Sequence, residues 1–364
     1  MTVTAQQGVF AFGPQHSKEA VAANIYKHRA SDIDLSAMSD DRLGPPEVGG
    51  TPVPTMPYRA GILSAGGATI APRLENTLGW LLYGAIGDVS TETGKDVFGT
   101  TVTGFNSHEF AFDTQAEGFV PWMTFYKEIP GYQATDFFGE TYQDCKVLSL
   151  VTTFPNDGLI QTRVDVLGRM AGNTTQWTAG KKTDFANTHY EDHESVPIGS
   201  NTGGFLKIPS FSGDDLPVVG ATVSIQNAPL DIRQEKVYGS PYIHDVTVTG
   251  RVLTVDMVLK WEDPALYRSI ITGSTTGTQW TCKPWISDLD IYALSCDDSS
   301  VAGAPYQLRV TAPKVMYQVA GGISLGGNEA VMMRVMGTAI KGTEDYYTVA
   351  LGNTVTSYSW PTPP

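Results

Sequence analysis

The chain has 364 residues, 41% hydrophobic and 10% aromatic, which excludes disorder and leaves room for two cores. Charged residues are only 17%, while Gly (38) and Pro (22) are plentiful, the balance of short strands joined by turns. A formal net charge of −14 repels phosphate and excludes tight nucleic-acid binding; its plainest consequence is solubility.

In chain order, residues 1–52 read as a polar N-terminal arm, with Pro45-Pro46, Gly49-Gly50 and an acidic patch of Asp32, Asp34, Asp40 and Asp41. A helical turn is expected within 17–28. Residues 53–72 alternate and predict a strand pair turning at Gly66-Gly67. Residues 75–87 carry Leu78, Leu81, Leu82 and Ile86 at helical spacing, with Gly87 as a stop. A Gly/Thr loop over 88–104 precedes strands at 108–112 and 122–129. Strands at 145–154 and 159–167 flank Pro155-Asn156-Asp157-Gly158, a strong hairpin signal. Residues 173–215 are polar and read as a linker. Strand character resumes over 221–230 and 242–261, followed by strands at 279–285, 288–294, 306–320, 330–340 and 346–358. The tail 359–364 is Pro-rich.

One pattern occurs twice: a short helix, then strands, then a long hairpin that opens with Lys-Val and closes on Arg-Val and a glycine. The copies are the helix 75–87 with hairpin 146–168, and the helix 264–273 with hairpin 314–337. Repetition weighs heavily in a fold assignment. It predicts a mainly β chain of two units, 53–172 and 216–358, each with one short flanking helix.

Little in the sequence points to catalysis. His189 and His193 stand at i, i+4 around Tyr190-Glu191-Asp192, but the usual general-base position of a zinc helix is unfilled. The segment reads as a solvated loop, and whether it takes up any metal is left open. Gly180-Lys181-Lys182-Thr183 resembles the end of a phosphate loop, yet Thr175 stands where glycine is needed. Gly321-Gly322 and Gly326-Gly327 read as a hairpin tip. Asp214-Asp215 and Asp297-Asp298 lack a calcium-loop pattern. Trp122, Trp261, Trp280 and Trp285 are expected in strands as core. Cys145, Cys282 and Cys296 form no metal spacing and are expected as reduced, buried thiols. The N-terminus lacks a signal-peptide pattern, and no stretch approaches about 18 continuous apolar residues. No cofactor is implied.

An ordered set of motifs resembles the major tail tube proteins of long-tailed, siphovirus-type bacteriophages. It runs through Leu78-Gly79-Trp80-Leu81-Leu82, His108-Glu109-Phe110, Pro121-Trp122-Met123-Thr124-Phe125, Tyr142-Gln143-Asp144-Cys145-Lys146-Val147 and Arg163-Val164-Asp165-Val166-Leu167-Gly168. The family pattern accepts Gly or Asp before the Cys-Lys-Val. The match is strong over 75–172 and weaker over 221–342.

The resemblance implies β-sandwich or barrel units whose long hairpins build a shared inner β-barrel. It implies a non-enzymatic virion protein that self-assembles into stacked rings, forming the hollow tube through which DNA reaches the host. Six units close a ring, so two units per chain imply a trimeric pseudo-hexamer, with a hexamer of full chains the alternative. Its partners would be further copies, the tape measure, terminator and baseplate proteins, and transiting DNA without specific binding or any membrane. Its place would be the phage tail, assembled in the host cytoplasm. Alternate hairpin positions would line the channel, and the polar set Ser149, Thr153, Gln161, Arg163 and Asp165 is assigned to the lumen. The loop 36–58 and the termini are the expected stacking elements. Another phage β-protein (terminator, decoration or adhesin domain) stays open, as does a β-sandwich hydrolase or carbohydrate-binding module.

Overall fold

The computed structural model describes residues 8–45, 50, 53, 56–111, 120–130, 137–171, 175–177, 206–212, 215–298, 301, 304–321, 323, 330–342 and 346–358. The strands are β1 Val9–Pro14, β2 Tyr26–His28, β3 Ala30–Ile33, β4 Ser36–Leu43 and β5 Pro57–Ile70, then helix α1 Thr77–Ile86. Next come β6 Asp88–Lys95, β7 Thr101–Ala111, β8 Met123–Pro130, β9 Phe137–Phe154, β10 Gln161–Ala171, β11 Thr175–Trp177, β12 Leu206–Lys207, β13 Val218–Pro229 and β14 Val248–Lys260. Helix α2 Ala265–Thr272 precedes β15 Trp285–Asp298, β16 Pro305–Val319, β17 Met332–Ala339 and β18 Thr348–Asn353. The fold is mainly β, and the ladders between these strands are antiparallel. Among the described residues no helix is long and apolar enough to cross a membrane.

One run of the sheet carries the functional argument. Its order is β4–β5–β10–β9–β13–β14–β17–β16. Alternate side chains face opposite ways, and one face is apolar throughout: Ala68, Val164, Leu150, Ile225, Leu253, Val255 and Met257 all join the main core. Strands β9 and β16 are long enough to leave this run. The first part of β9 pairs with β8, which pairs with β1. The first part of β16 pairs with β15 and β18, and β18 continues to β7 and β6. Phe105, Phe110, Phe125, Leu308 and Val349 from these strands join the same core from its other side.

Helix α1 fills the space between and is buried at every residue. It ends in Gly87 at φ 102°, whose N–H reaches Tyr83 O. Its last carbonyls are capped from β13 and β14: Asn227 Nδ2 donates to Ala85 O at 2.9 Å, and Arg251 Nη2 donates to Ala85 O at 2.8 Å and to Ile86 O. Gly79 is small because the ring of Tyr358 lies on it; a Cβ there would meet Tyr358 Cζ at 2.1 Å. His108 bonds Asn353 Oδ1 at 3.0 Å and Thr91 Oγ1 at 2.9 Å, and Asn353 Nδ2 donates to Tyr358 at 2.8 Å. Gly79 and His108, two of the motif residues, are thus fixed by Tyr358 and by Asn353 at the end of β18.

Asp144 is fully buried at φ 52°, a left-handed conformation open to Gly and tolerated by Asp. That explains the Gly-or-Asp choice in the motif. Its Oδ1 accepts from Gln15 Nε2 (2.9 Å) and Glu19 N (2.7 Å), and its Oδ2 from Arg169 Nη1 (3.0 Å).

Several expectations differ from the structure. Residues 9–14, read as part of a polar arm, are a strand buried at every position, because Phe10 and Phe12 pack on Phe125. Residues 26–28 are strand where a helical turn was expected. Residues 57–70 are one strand; Gly66, at φ 116°, bends it without reversing it. The 88–104 loop is largely the β6–β7 hairpin, whose alternating Thr and Val residues were masked by its glycines. Residues 279–284 are not strand, and Trp280 is 81% exposed, not core. Cys145 is buried but Cys282 is exposed; both are free thiols.

Val164 faces Ala68 on the strand leading into α1, and Val335 faces Met257 on the strand leading into α2, so the two Arg-Val dipeptides occupy matching places. The other repeat marks do not match. Gly168 lies four residues beyond Val164 and faces Ser64, whereas Gly337 lies two beyond Val335 and faces Val255. Val147 faces Val166, two beyond Val164, whereas Val315 faces Ala339, four beyond Val335.

Candidate assembly edge and polar sheet face

The second face of the run is polar where the first is apolar. Across the β9–β10 hairpin, Thr153 faces Gln161 and Ser149 faces Asp165, so all five lumen candidates share this face. Arg163 sits between them, opposite Val151. Ser149 Oγ donates to Asp165 Oδ2 at 2.7 Å, and Arg163 Nε donates to Asp165 Oδ1 at 2.8 Å. Arg163 Nη2 also donates to Asp34 Oδ2 at 2.6 Å, with Asp32 3.6 Å from Nη1.

The face continues over β13 and β14, where Gln226 faces Ser149, Ser224 faces Val151, Thr222 faces Thr153, and Thr254 and Asp256 follow. On β17, Arg334 occupies the place matching Arg163. It too is paired with a carboxylate, here across to the neighbouring strand, donating through Nε to both Asp256 oxygens at 2.8 and 3.1 Å. Hydrogen bonding to Asp256 raises the Arg334 guanidinium further above its ordinary value. Both arginines therefore meet their surroundings as neutralised pairs, and Asp32 and Asp34 leave the Arg163 cluster acidic. Arg163 and Arg334 thus present to a polyanion as paired cations, while the exposed Lys260 and Lys314 lie on the same face.

The run is joined in its middle and open at its ends. Residues 149–154 of β9 form a ladder with 221–226 of β13. By the Arg-Val match, the strands corresponding to β9 and β13 are β16 and the β3–β4 segment. Among the described ladders, β3 and β4 pair only with β5, and β16 beyond Tyr317 pairs only with β17. The donor of Ala320 shows which way the edge points. Ala320 N donates inward to Arg334 O, so the Val319 N–H points outward by the alternation of an antiparallel strand. By that match, the two ends correspond to the two strands that the middle pairs.

Of the loop expected at 36–58, the described residues include β4 and the start of β5, paired with each other; Met38, Leu43, Met56 and Tyr58 stand out in solvent. Residues 359–364, His189, His193, the 180–183 segment, Asp214 and the Gly326-Gly327 pair lie outside the described residues, as do the side chains of Cys296, Asp297 and Asp298. Among the described residues no group of three or more His, Cys, Asp or Glu side chains gathers as for a metal ion. The reading of the sequence missed Asp256, Arg334 and Thr254 on the polar face, although the alternation of Val252-Leu253-Thr254-Val255-Asp256 carries the signal.

Two comparisons bear on this geometry. A search of curated proteins found no match. The family model described as phage tail tube protein matches residues 9–355, from the first buried strand to the loop after β18. That family is structural and non-enzymatic. An antiparallel β fold with unfinished sheet edges, matched by this model over nearly its whole length, belongs to the phage tail tube protein family and is a structural component of the phage tail.

Proposed function

We propose that this chain polymerises head to tail into rings of three copies, each supplying the eight strands from β4 to β16 to one inner barrel. The β4–β5–β10–β9 group and the β13–β14–β17–β16 group act as two similar units, so three chains make a pseudo-six-fold ring. Stacked rings form the hollow tail tube. DNA passes along a wall lined by Ser149, Thr153, Gln161, Arg163 and Asp165, and further along by Asp256 and by Arg334, the counterpart of Arg163. The exposed β4–β5 hairpin and the termini serve contacts beyond the ring and toward tape measure, terminator and baseplate proteins. The tube assembles in the host cytoplasm and functions in the virion.

The observation that carries this reading is the β9–β13 ladder inside the chain, with the two matching edges unpaired at its ends. An open edge of this kind invites another strand, and closing the circle removes it. Val319→Pro tests it, since the substitution removes an outward N–H and leaves the Ala320 bond to β17 intact. The expected result is a folded protein that no longer forms hollow filaments in electron micrographs. Normal filaments from Val319→Pro would overturn the edge, and averaged end views with strict six-fold symmetry of whole chains would overturn the three-copy ring.

A further inference from the structure

The internal joint has a second part besides its ladder. After β13 the chain crosses over the polar side of the first unit and returns as β14. Ile232, Ile243 and Val246 of this connection pack on Trp122, Leu167 and Leu63 as a separate apolar cluster. Backbone bonds fix it there: Ile62 N donates to Pro241 O at 2.8 Å, and Arg169 Nε donates to Ile243 O at 2.8 Å. The covered residues form a row across the sheet, with Lys146 facing Leu167 and Leu167 facing Ala65. Lys146 lies over the Trp122 ring at 4.3 Å.

The second unit has the matching row, uncovered. Ile286 faces Met316, Met316 faces Thr338, and Thr338 faces Thr254. Thr338 stands at the place of Leu167, three residues past the Val of its Arg-Val dipeptide. Where Trp122 is 9% exposed, Ile286 is 46% exposed, and Met336 beside the row is 37% exposed. Nothing in the described chain packs on this row as the β13–β14 connection packs on its counterpart.

We infer that the tip of the β4–β5 hairpin of a neighbouring copy covers this row, contacting Ile286 and Met316 as the β13–β14 connection contacts Trp122 and Lys146. The inference rests on the ring reading above and adds a second contact to each joint. The direction of the strands supports it. As β13 runs along β9 from Phe154 toward Ser149, it delivers its following connection over Lys146. A neighbour's β4, laid along β16 in the same sense, runs toward Tyr317 and delivers its tip over Met316 and Ile286. The tip carries the apolar surface the row lacks: Leu43 is 66% exposed and Met56 is 63% exposed. These side chains have no use in a lone chain and match an apolar row on the next.

Paired cysteines test it in the full chain, with the exposed Cys282 first replaced by Ser. One protein carries Met56→Cys with Ile286→Cys, which reports the tip contact. A second carries Met38→Cys with Gln318→Cys, which reports the ladder alone. Assembled protein is oxidised and run on denaturing, non-reducing gels. The inference expects both proteins to form covalent chains that stop at three copies, because the contact closes within one ring. A first-pair ladder running far beyond three places the tip against the next ring and overturns the inference. No cross-link in the first protein with full cross-linking in the second also overturns it, while the ring stands. Failure of both pairs removes the ring reading itself. Series ending at six would keep the tip contact and remove the three-copy count.

Discussion

Asp144 is the most demanding single position for the account of the chain's first unit. Its carboxylate holds the 15–19 segment and Arg169 together through three hydrogen bonds of 2.7–3.0 Å, at zero exposure and with a left-handed backbone. In Asp144→Ala the Glu19 N–H loses its acceptor. Arg169 keeps Glu19 at 2.8 Å and the Ile243 carbonyl, so the guanidinium is not left wholly unpaired. Losing one charge-assisted pair and two further bonds at a buried site costs about 3–4 kcal/mol. Ala adds strain of roughly 1 kcal/mol in this conformation, which Gly does not. Urea unfolding of dilute, unassembled protein, followed by tryptophan fluorescence, measures both. Asp144→Ala should lose about 4–5 kcal/mol, and Asp144→Gly about 3–4 kcal/mol. An Ala variant within 1 kcal/mol of the parent, or a Gly variant no better than Ala, would refute the reasoning.

Three further outcomes are expected. Burial lowers His28 from 6.5 to about 4, so the unfolded chain takes up a proton that the folded chain refuses. Stability is then unaffected by this group above pH 6.5 and falls by up to about 3 kcal/mol as the pH drops to 4. His28→Gln should flatten that part of the urea-midpoint profile, and an unchanged slope would contradict the assignment. Gly79→Ala, forced against a Tyr358 ring that is pinned by Asn353 and the Asn76 carbonyl, should cost about 1–3 kcal/mol. The loss should shrink sharply in a Tyr358→Ala background, whereas additive losses would show that the ring is not the obstacle. Burial pushes the Cys145 thiol up to about 12, while Cys282 is exposed. Iodoacetamide on the native protein should label Cys282 and spare Cys145, as read by mass spectrometry; equal labelling would contradict the burial.

Elements with strong local signals were legible in the sequence. The helix at 77–86 and the hairpin around Pro155–Gly158 carry period and turn chemistry that tertiary packing did not override. Each Arg-Val dipeptide seen in the sequence faces a strand that leads into a helix, Val164 on Ala68 and Val335 on Met257. The Lys-Val and glycine marks misled. The glycines stand at different distances from Arg-Val in the sequence itself, and a one-residue register shift in the β9–β10 ladder between Asp165 and Val166 accounts for only part of the Lys-Val offset. The buried β1 strand was hidden by its neighbours: Val9 to Phe12 is a short apolar run inside a polar stretch, and only pairing with β8 makes it core. The polar face was readable by alternation on β9 and β10. Its extension over Asp256 and Arg334 depends on which strands lie side by side, and the cap that Asn227 and Arg251 place on α1 depends on contacts far apart in the chain.

A side-chain-level reconstruction of the assembled tube tests the central claim most directly. The account predicts three chains per ring, residues 318–321 of each paired antiparallel with 35–38 of the next, and Arg163 and Arg334 facing the channel. Rings of six whole chains, or a channel wall built from other strands with these two edges still unpaired, would contradict it.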